Sequence, residues 1–362
     1  MHRKHFLQLL ATGAAALPTL PHWSGAEPRR MISNAKKHWA WARGDFSTME
    51  PWKPKFARWK AAGIDAILPN VAAPEVLERI VPVAHEAGLE VHAWIITMMR
   101  GGMAESNPHW YAVNREGAST ATDPPYVDYY RFLCPNRPDV HDHLAAHYAE
   151  MAQVPGVVSL HLDYIRFPDV ILPEALWPTY DLVQDQEYPP FDYCYCDVCR
   201  ALFKSQTGID PLKLDDPASN AAWLQFRYDS ITRVVEMLRA VVHGHDRLLT
   251  AAIFPTPTIA RRLVRQDWDR WPLDAFLPMI YHSFYNEDLA WIEASTREGV
   301  MALAGRAPLY AGLYVPELTP DELARATRHA LDGGAAGVAL FEAQAPTEAH
   351  WNALAPVLKA AR

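Results

Sequence analysis

Two acidic residues stand where folding alone gives no reason for an acid. In "VVSLHLDYIRFPD", residues 157–169, an apolar run ends at Asp163, and Arg166 follows. In "GVALFEAQAP" a second apolar run ends at Glu342. A charge inside a buried strand is costly without a partner, so both acids belong at strand ends. Two carboxylates over one pocket can work as a pair on a glycosidic bond. One protonates the leaving oxygen, and the other attacks the sugar or activates a water. The plainer alternatives are an Asp163–Arg166 ion pair supporting a loop, and a rim charge at Glu342 held by neighbouring strands. Asp45, Asp169, Glu187 and Glu317 also follow apolar runs or lie in an insertion, and compete with Glu342 for the second role.

Polar and aromatic residues gather at the same strand ends. Trp39, Asn70, His92, Trp94, Arg166, Tyr281, His282 and Tyr314 form the candidate substrate-binding set. Sugars present flat C–H faces ringed by hydroxyls, and aromatic rings with polar tips suit both. Each of these residues, taken singly, fits a satisfied core position as well. Two other readings stay open. A barrel that keeps the aromatics without a working acid pair would bind carbohydrate and not cleave it. A lyase on an acidic polysaccharide would use His92 or Tyr281 as its base.

The four cysteines are Cys134 in "FLCPNRP" and Cys194, Cys196 and Cys199 in "YCYCDVCRALF". The triplet is too close-packed to make two ordinary disulfides with Cys134. Four thiolates suit a closed, tetrahedral structural zinc. Disulfide pairing in an oxidising compartment is the alternative.

These side chains need a scaffold. Short apolar runs alternate with amphipathic helical patterns from about residue 36 onward, the mark of a parallel sheet wrapped by helices. The strands read as "KHWAWAR", "DAILPNV", "EVHAWIITMM", "GVVSLHLDYIRF", "LLTAAIFP", "DAFLPMIYHSF", "APLYAGLYV" and "AAGVALFEAQ". Eight strand–helix units predict an α/β fold of the TIM (β/α)8 type. A doubly wound open sheet is the runner-up, but no Gly-rich phosphate fingerprint follows the first strand. Long insertions, about residues 100–138 and 168–220, follow the third and fourth strands. They therefore fall on the face where such barrels build their sites.

The chain has 362 residues, half of them hydrophobic, with 13 tryptophans and a formal net charge of -8. That balance argues against a nucleic-acid partner, whose binders carry basic patches. Residues 1–26 read as an export signal, with a basic start, an apolar middle and a small-residue end. Pro18 and Pro21 break the apolar part, so no integral membrane span is expected there. Lys4 stands where a twin-arginine signal has its second arginine, which leaves the twin-arginine and general secretory routes both open. No cysteine follows the apolar part, which argues against a lipid anchor. Residues 27–362 are then one exported domain, periplasmic or extracellular.

The motif "VSLHLDYIRFP" resembles the Asp-Tyr-Ile-Arg-Tyr/Phe-Pro signature of the glycosyl hydrolase-like family, relatives of family 10-like bacterial glycosidases. "EAGLEVHAWI" is similar to the same family's third-strand segment, and "FLCPNRPDVHDHL" to the Cys-Pro and helix that follow it. The resemblance runs in order from about Lys37 to Gln344. It implies a TIM barrel that hydrolyses glycosidic bonds in polysaccharides, often outside the cytoplasm, with Asp163 as the best catalytic candidate. The cysteine pattern is similar to the zinc cluster of family 42 β-galactosidases, where one cysteine after strand three joins a Cys-x-Cys-x-x-Cys after strand four. That family has Asn-Glu at the end of strand four, whereas this chain has Leu162-Asp163. The zinc comparison carries over; the catalytic one does not.

Overall fold

The computed structural model describes residues 36–361; the expected export signal lies outside them. Eight strands are present: β1 (Trp39–Ala42), β2 (Ala66–Pro69), β3 (Glu90–Ile96), β4 (Val157–Asp163), β5 (Leu248–Ile253), β6 (Ala275–Pro278), β7 (Tyr310–Tyr314) and β8 (Gly337–Phe341). They form one parallel sheet in the order β6-β5-β4-β3-β2-β1-β8-β7. The helices are α1 (Lys53–Ala62), α2 (Pro74–Glu86), α3 (Pro138–Ala152), α4 (Asp197–Thr207), α5 (Ala221–His243), α6 (Pro257–Val264), α7 (Ala290–Leu303), α8 (Pro320–Asp332) and α9 (Glu348–Ala360). The fold is a TIM (β/α)8 barrel. Helix α4 is additional to the repeating units and lies inside the second insertion.

Local sequence explains many of the boundaries. Helices α1, α2, α3, α6 and α8 start with a proline in the first turn, where a missing N–H loses nothing. Thr256 caps α6, and Thr319 with Glu322 forms a capping box on α8. The outermost strands meet through two bridges, Phe276–Leu309 and Met279–Gly312, rather than a regular ladder. A Cβ on Gly312 would fall 2.8 Å from the Pro278 carbonyl oxygen, so only glycine lets β7 approach β6 there.

Alternation sets the two faces of the sheet. Ala40, Ile67, Ala93, Ile95, Leu160 and Leu162 pack outward under the helices. Trp39, Trp41, Leu68, Trp94, Leu277 and Tyr310 fill the interior. Polar groups share that interior and find partners in one another. The Trp41 indole N–H donates to His161 Nε2 at 3.2 Å, and His161 Nδ1 lies 2.8 Å from Thr250 Oγ1. Ser159 Oγ lies 2.7 Å from His92 Nδ1. Burial pushes both imidazoles below their ordinary range, so they are neutral members of the core.

Depth matters as much as facing. On β4, Ser159, His161 and Asp163 share the inward face and climb it by about 6.6 Å per step. Only the last of the three lines the open end of the barrel.

Candidate active site

A cavity of about 600 Å³ opens at the C-terminal ends of the strands. Asp163 lines it together with Trp41, Trp94, Tyr281, Phe341 and Glu342, among others. The Trp94 indole N–H donates to Asp163 Oδ2 at 2.8 Å, and the Tyr164 backbone N–H donates to Oδ1 at 2.7 Å. Burial pushes the Asp163 carboxyl above the usual carboxylate range, against these two donors and the nearby charges of Arg166 and Arg43. Desolvation is the largest of these effects, so the charged form is disfavoured overall. Glu342 sits in a different setting: its Oε1 lies 3.2 Å from Arg43 Nη1, and the carboxylate side chain is 38% exposed.

The two insertions supply the upper wall. Tyr126, Tyr129 and Tyr130 come from the first and Tyr180 from the second, with Tyr164 directly after β4 beside them. Arg166 fastens them. Its guanidinium donates to Asp169 Oδ2 at 2.8 Å and to the Tyr130 hydroxyl at 2.7 Å. It also lies over the rings of Tyr164 and Phe254, at 4.9 and 5.2 Å, a cation–π arrangement. The Tyr130 hydroxyl in turn donates to Asp169. Arg166 is therefore engaged with Asp169 and not hydrogen-bonded to Asp163. Tyr126 and Tyr164 hold φ values of 68° and 50°, uncommon for a bulky side chain and typical of sites where surrounding contacts fix the backbone.

The cavity gathers most of the residues singled out in the sequence. Asn70, Trp94, Arg166, Tyr281 and Tyr314 line it with Asp163 and Glu342. Trp39 and His92 do not. They are fully buried lower in the barrel, ring against ring at 4.0 Å, with His92 Nε2 3.5 Å from Glu90. His282 is also outside the lining; it lies in a 3-10 turn, His282–Tyr285, whose Phe284 and Tyr285 face the cavity instead. Among the competing acids, Asp169 lines the cavity but is taken by Arg166 and Tyr130. Glu187 pairs with Arg265, and Asp45 accepts from Ser47. Neither of these lines the cavity, nor does Glu317. Trp41 of the first strand is also in the lining, whereas Arg43 and the loop tyrosines have no strand-end pattern to mark them, only the cluster Tyr126, Tyr129, Tyr130 in "PPYVDYYRF".

The four cysteines come together as the spacing predicts. Their sulfurs all lie within 4.8 Å of one another and all four residues are buried. Cys134 Sγ is 3.5 Å from both Cys196 and Cys199 Sγ. That is far beyond a disulfide bond, ~2.05 Å, and close to the ~3.8 Å edge of a tetrahedron with metal–sulfur bonds of ~2.3 Å. The Val113 N–H points at Cys194 Sγ, and the Asn136 amide at Cys199 Sγ, the kind of outer support that orients metal ligands. The donor set fits a metal ion. Around it the Tyr195 N–H donates to the Val113 carbonyl at 2.7 Å, joining the two insertions, and the buried Arg227–Asp192 pair holds the second insertion to α5.

The sequence of residues 45–313, well over half of the chain, matches the model of the family described as glycosyl hydrolase-like 10. The chain belongs to the glycosyl hydrolase-like 10 family. The span that carries this membership includes Asp163 and all four cysteines, and ends before Glu342. No curated protein matches this glycosyl hydrolase-like 10 chain in sequence. Among solved structures, the PgaB (BpsB) glycoside hydrolase domain from Bordetella bronchiseptica superposes with a TM-score of 0.65 at 14% identity, covering 89% of this chain and 98% of that domain. The β-galactosidase from Bacillus circulans sp. alkalophilus gives 0.64 at 14% identity, over 90% of this chain but 56% of the galactosidase. The catalytic domain of β-amylase from Paenibacillus polymyxa gives 0.61 at 12% identity, over 91% and 99%. At these identities the likeness is one of fold. Within the described residues of this family member, no helix is long and apolar enough to cross a membrane.

Proposed function

We propose that the chain is an exported glycoside hydrolase that cleaves glycosidic bonds of a poly- or oligosaccharide with Asp163 and Glu342 as its paired carboxylates. The observation that carries this reading is Asp163 itself, a carboxyl at a barrel strand end, buried, held by two N–H donors, and facing an aromatic-lined cavity. Membership of the family and the glycoside hydrolase fold neighbours support it.

The two acids divide the work by environment. Burial keeps a proton on Asp163 to higher pH, which suits the group that protonates the leaving oxygen. Glu342 is the group that meets the sugar carbon, or holds the water that does. Trp41, Trp94, Tyr281 and Tyr314 offer ring faces and N–H or O–H tips to the sugar. Asn70 lines the same cavity, and its amide N–H reaches the Trp94 carbonyl at 3.4 Å.

A proton donor works only while protonated, so the rate falls as pH rises through the raised Asp163 pKa. Trp94→Phe removes a hydrogen bond that favours the ionised form. The alkaline limb of kcat is then expected to move up by about one to two pH units, since a bond to a charged group is worth roughly 1.5–3 kcal/mol. An unmoved limb would take Asp163 out of the donor role.

The cysteine cluster is read as a structural zinc site. Cys134, Cys194, Cys196 and Cys199 would hold the ion with no open position, and its contribution would be to tie the two insertions together. Export is tested separately. Sequencing the N-terminus of protein recovered from outside the cytoplasm is expected to give a chain starting near Glu27; an intact Met1 terminus would contradict it.

A further inference from the structure

The wall between the cavity and the outside is one turn thick in two places. The first is the 3-10 segment Glu174–Tyr180 of the second insertion. Pro173, Leu176 and Tyr180, in and beside it, line the cavity, while Glu174, Ala175, Trp177, Pro178 and Asp181 line an outer depression. The second is the turn His282–Tyr285. Phe284 and Tyr285 face inward, and Asn286, the next residue, faces the depression. The depression has a volume of about 460 Å³, within the ~300–1,000 Å³ range of ligand clefts.

Its lining has the make-up of a sugar contact. Glu174, Asp181 and Asn286 supply exposed hydrogen-bonding groups, beside the apolar surfaces of Trp177, Pro178 and Val183. The Trp177 ring is fixed in place, because its N–H donates to the Leu172 carbonyl at 2.8 Å. Val183 is 70% exposed at the edge of the depression, and Tyr129 is 64% exposed where the cavity opens.

We propose that this depression is a second saccharide-binding segment, which takes sugars of the same chain beyond those at the scissile bond. Resting on the carbohydrate reading above, it makes the substrate a chain longer than a disaccharide. The occupant follows from continuity: the same two turns form the wall of both hollows, so a chain leaving the cavity over that wall meets the depression next.

The test uses Asp163→Asn protein, so that substrates are bound and not consumed. Affinities are measured by calorimetry for size-graded oligosaccharides, disaccharide upward, of whichever polysaccharide the wild-type chain cleaves or binds in a glycan panel. Affinity is expected to rise about tenfold or more with length. Adding Val183→Arg and Asn286→Ala is expected to abolish that gain while leaving the disaccharide Kd within about twofold. Both changes sit on exposed residues, and a thermal melt checks that the fold is kept. Binding that does not depend on length, or a gain that survives the substitutions, overturns the proposal and leaves the hydrolase reading standing. So does a Val183→Arg protein that changes oligomeric state with affinities unaltered, which would make the depression a contact between copies. A chain that binds no saccharide sinks both readings.

Discussion

Asp163→Asn is expected to lower kcat about a thousandfold, roughly 4 kcal/mol of barrier, with KM changed only a few-fold. The amide keeps the shape of the carboxyl and loses its proton-donating power, so the loss falls on the transition state. One oxygen can still accept from either the Trp94 or the Tyr164 N–H. The other donor then faces an NH2 group, at about 1–2 kcal/mol, which costs a few degrees of Tm and not the fold. The residual activity should also lose its alkaline limb, because the carboxyl that sets it is gone. An Asp163 that merely braced its loop would give another pattern, with Tm and kcat falling together and the pH profile keeping its shape. Kinetics across pH with a melting curve on the same samples separates the two.

Loss of the metal is expected to have the largest effect on stability. Purified protein should carry about one zinc per chain, and Cys196→Ser should abolish it and lower Tm by about 10 °C or more. The physical reason is the company the sulfurs keep. Burial pushes the Cys134 thiol well up, and without a cation only weak sulfur–sulfur contacts span the cluster. The insertions would then rely on contacts such as the Tyr195–Val113 hydrogen bond and the Arg227–Asp192 pair. Because protons compete for the sulfurs, metal should leave as pH falls, and Tm with it. Metal analysis and melting curves against pH check this. Protein without zinc and without titratable thiols would mean disulfides, and zinc retained in Cys196→Ser would break the ligand set.

Much of the scaffold was legible because strands in a barrel leave a simple trace. Leu160 and Leu162 alternate with Ser159 and His161, and Asp163 ends the run where the interior meets solvent. The cysteine spacing carried its own geometry, since a loop after β3 and a loop after β4 are neighbours in space. What alternation does not give is depth. Trp39 and His92 face inward as read, but both stand near the start of their strands, about two residues or 6.6 Å per layer below the cavity. Their polarity is used within the core, His92 against Ser159. His282 differs for another reason. Strand β6 stops at Pro278, and the 3-10 turn beyond it brings Phe284 and Tyr285, and not His282, to the cavity.

The second insertion hid its structure for a related cause. Helix α4 begins immediately after Cys196 and buries only Cys199 and Phe203, a stripe too short to stand out within the insertion. Tyr126, Tyr129 and Tyr130 of the upper wall lie on loops with no period at all. Arg166 was visible in the motif but its partner was not, because an Asp three residues on and a hydroxyl from the other insertion claim it only once the loops are folded together.

The central claim is that this barrel breaks glycosidic bonds through Asp163. The most direct measurement is release of new reducing ends by wild-type and Asp163→Asn protein, side by side, across a panel of polysaccharides. Cleavage of at least one polysaccharide by the wild type, suppressed about a thousandfold by the substitution, is the expected result. Cleavage that persists undiminished in Asp163→Asn, or tight binding across the panel with no new reducing ends, would contradict it.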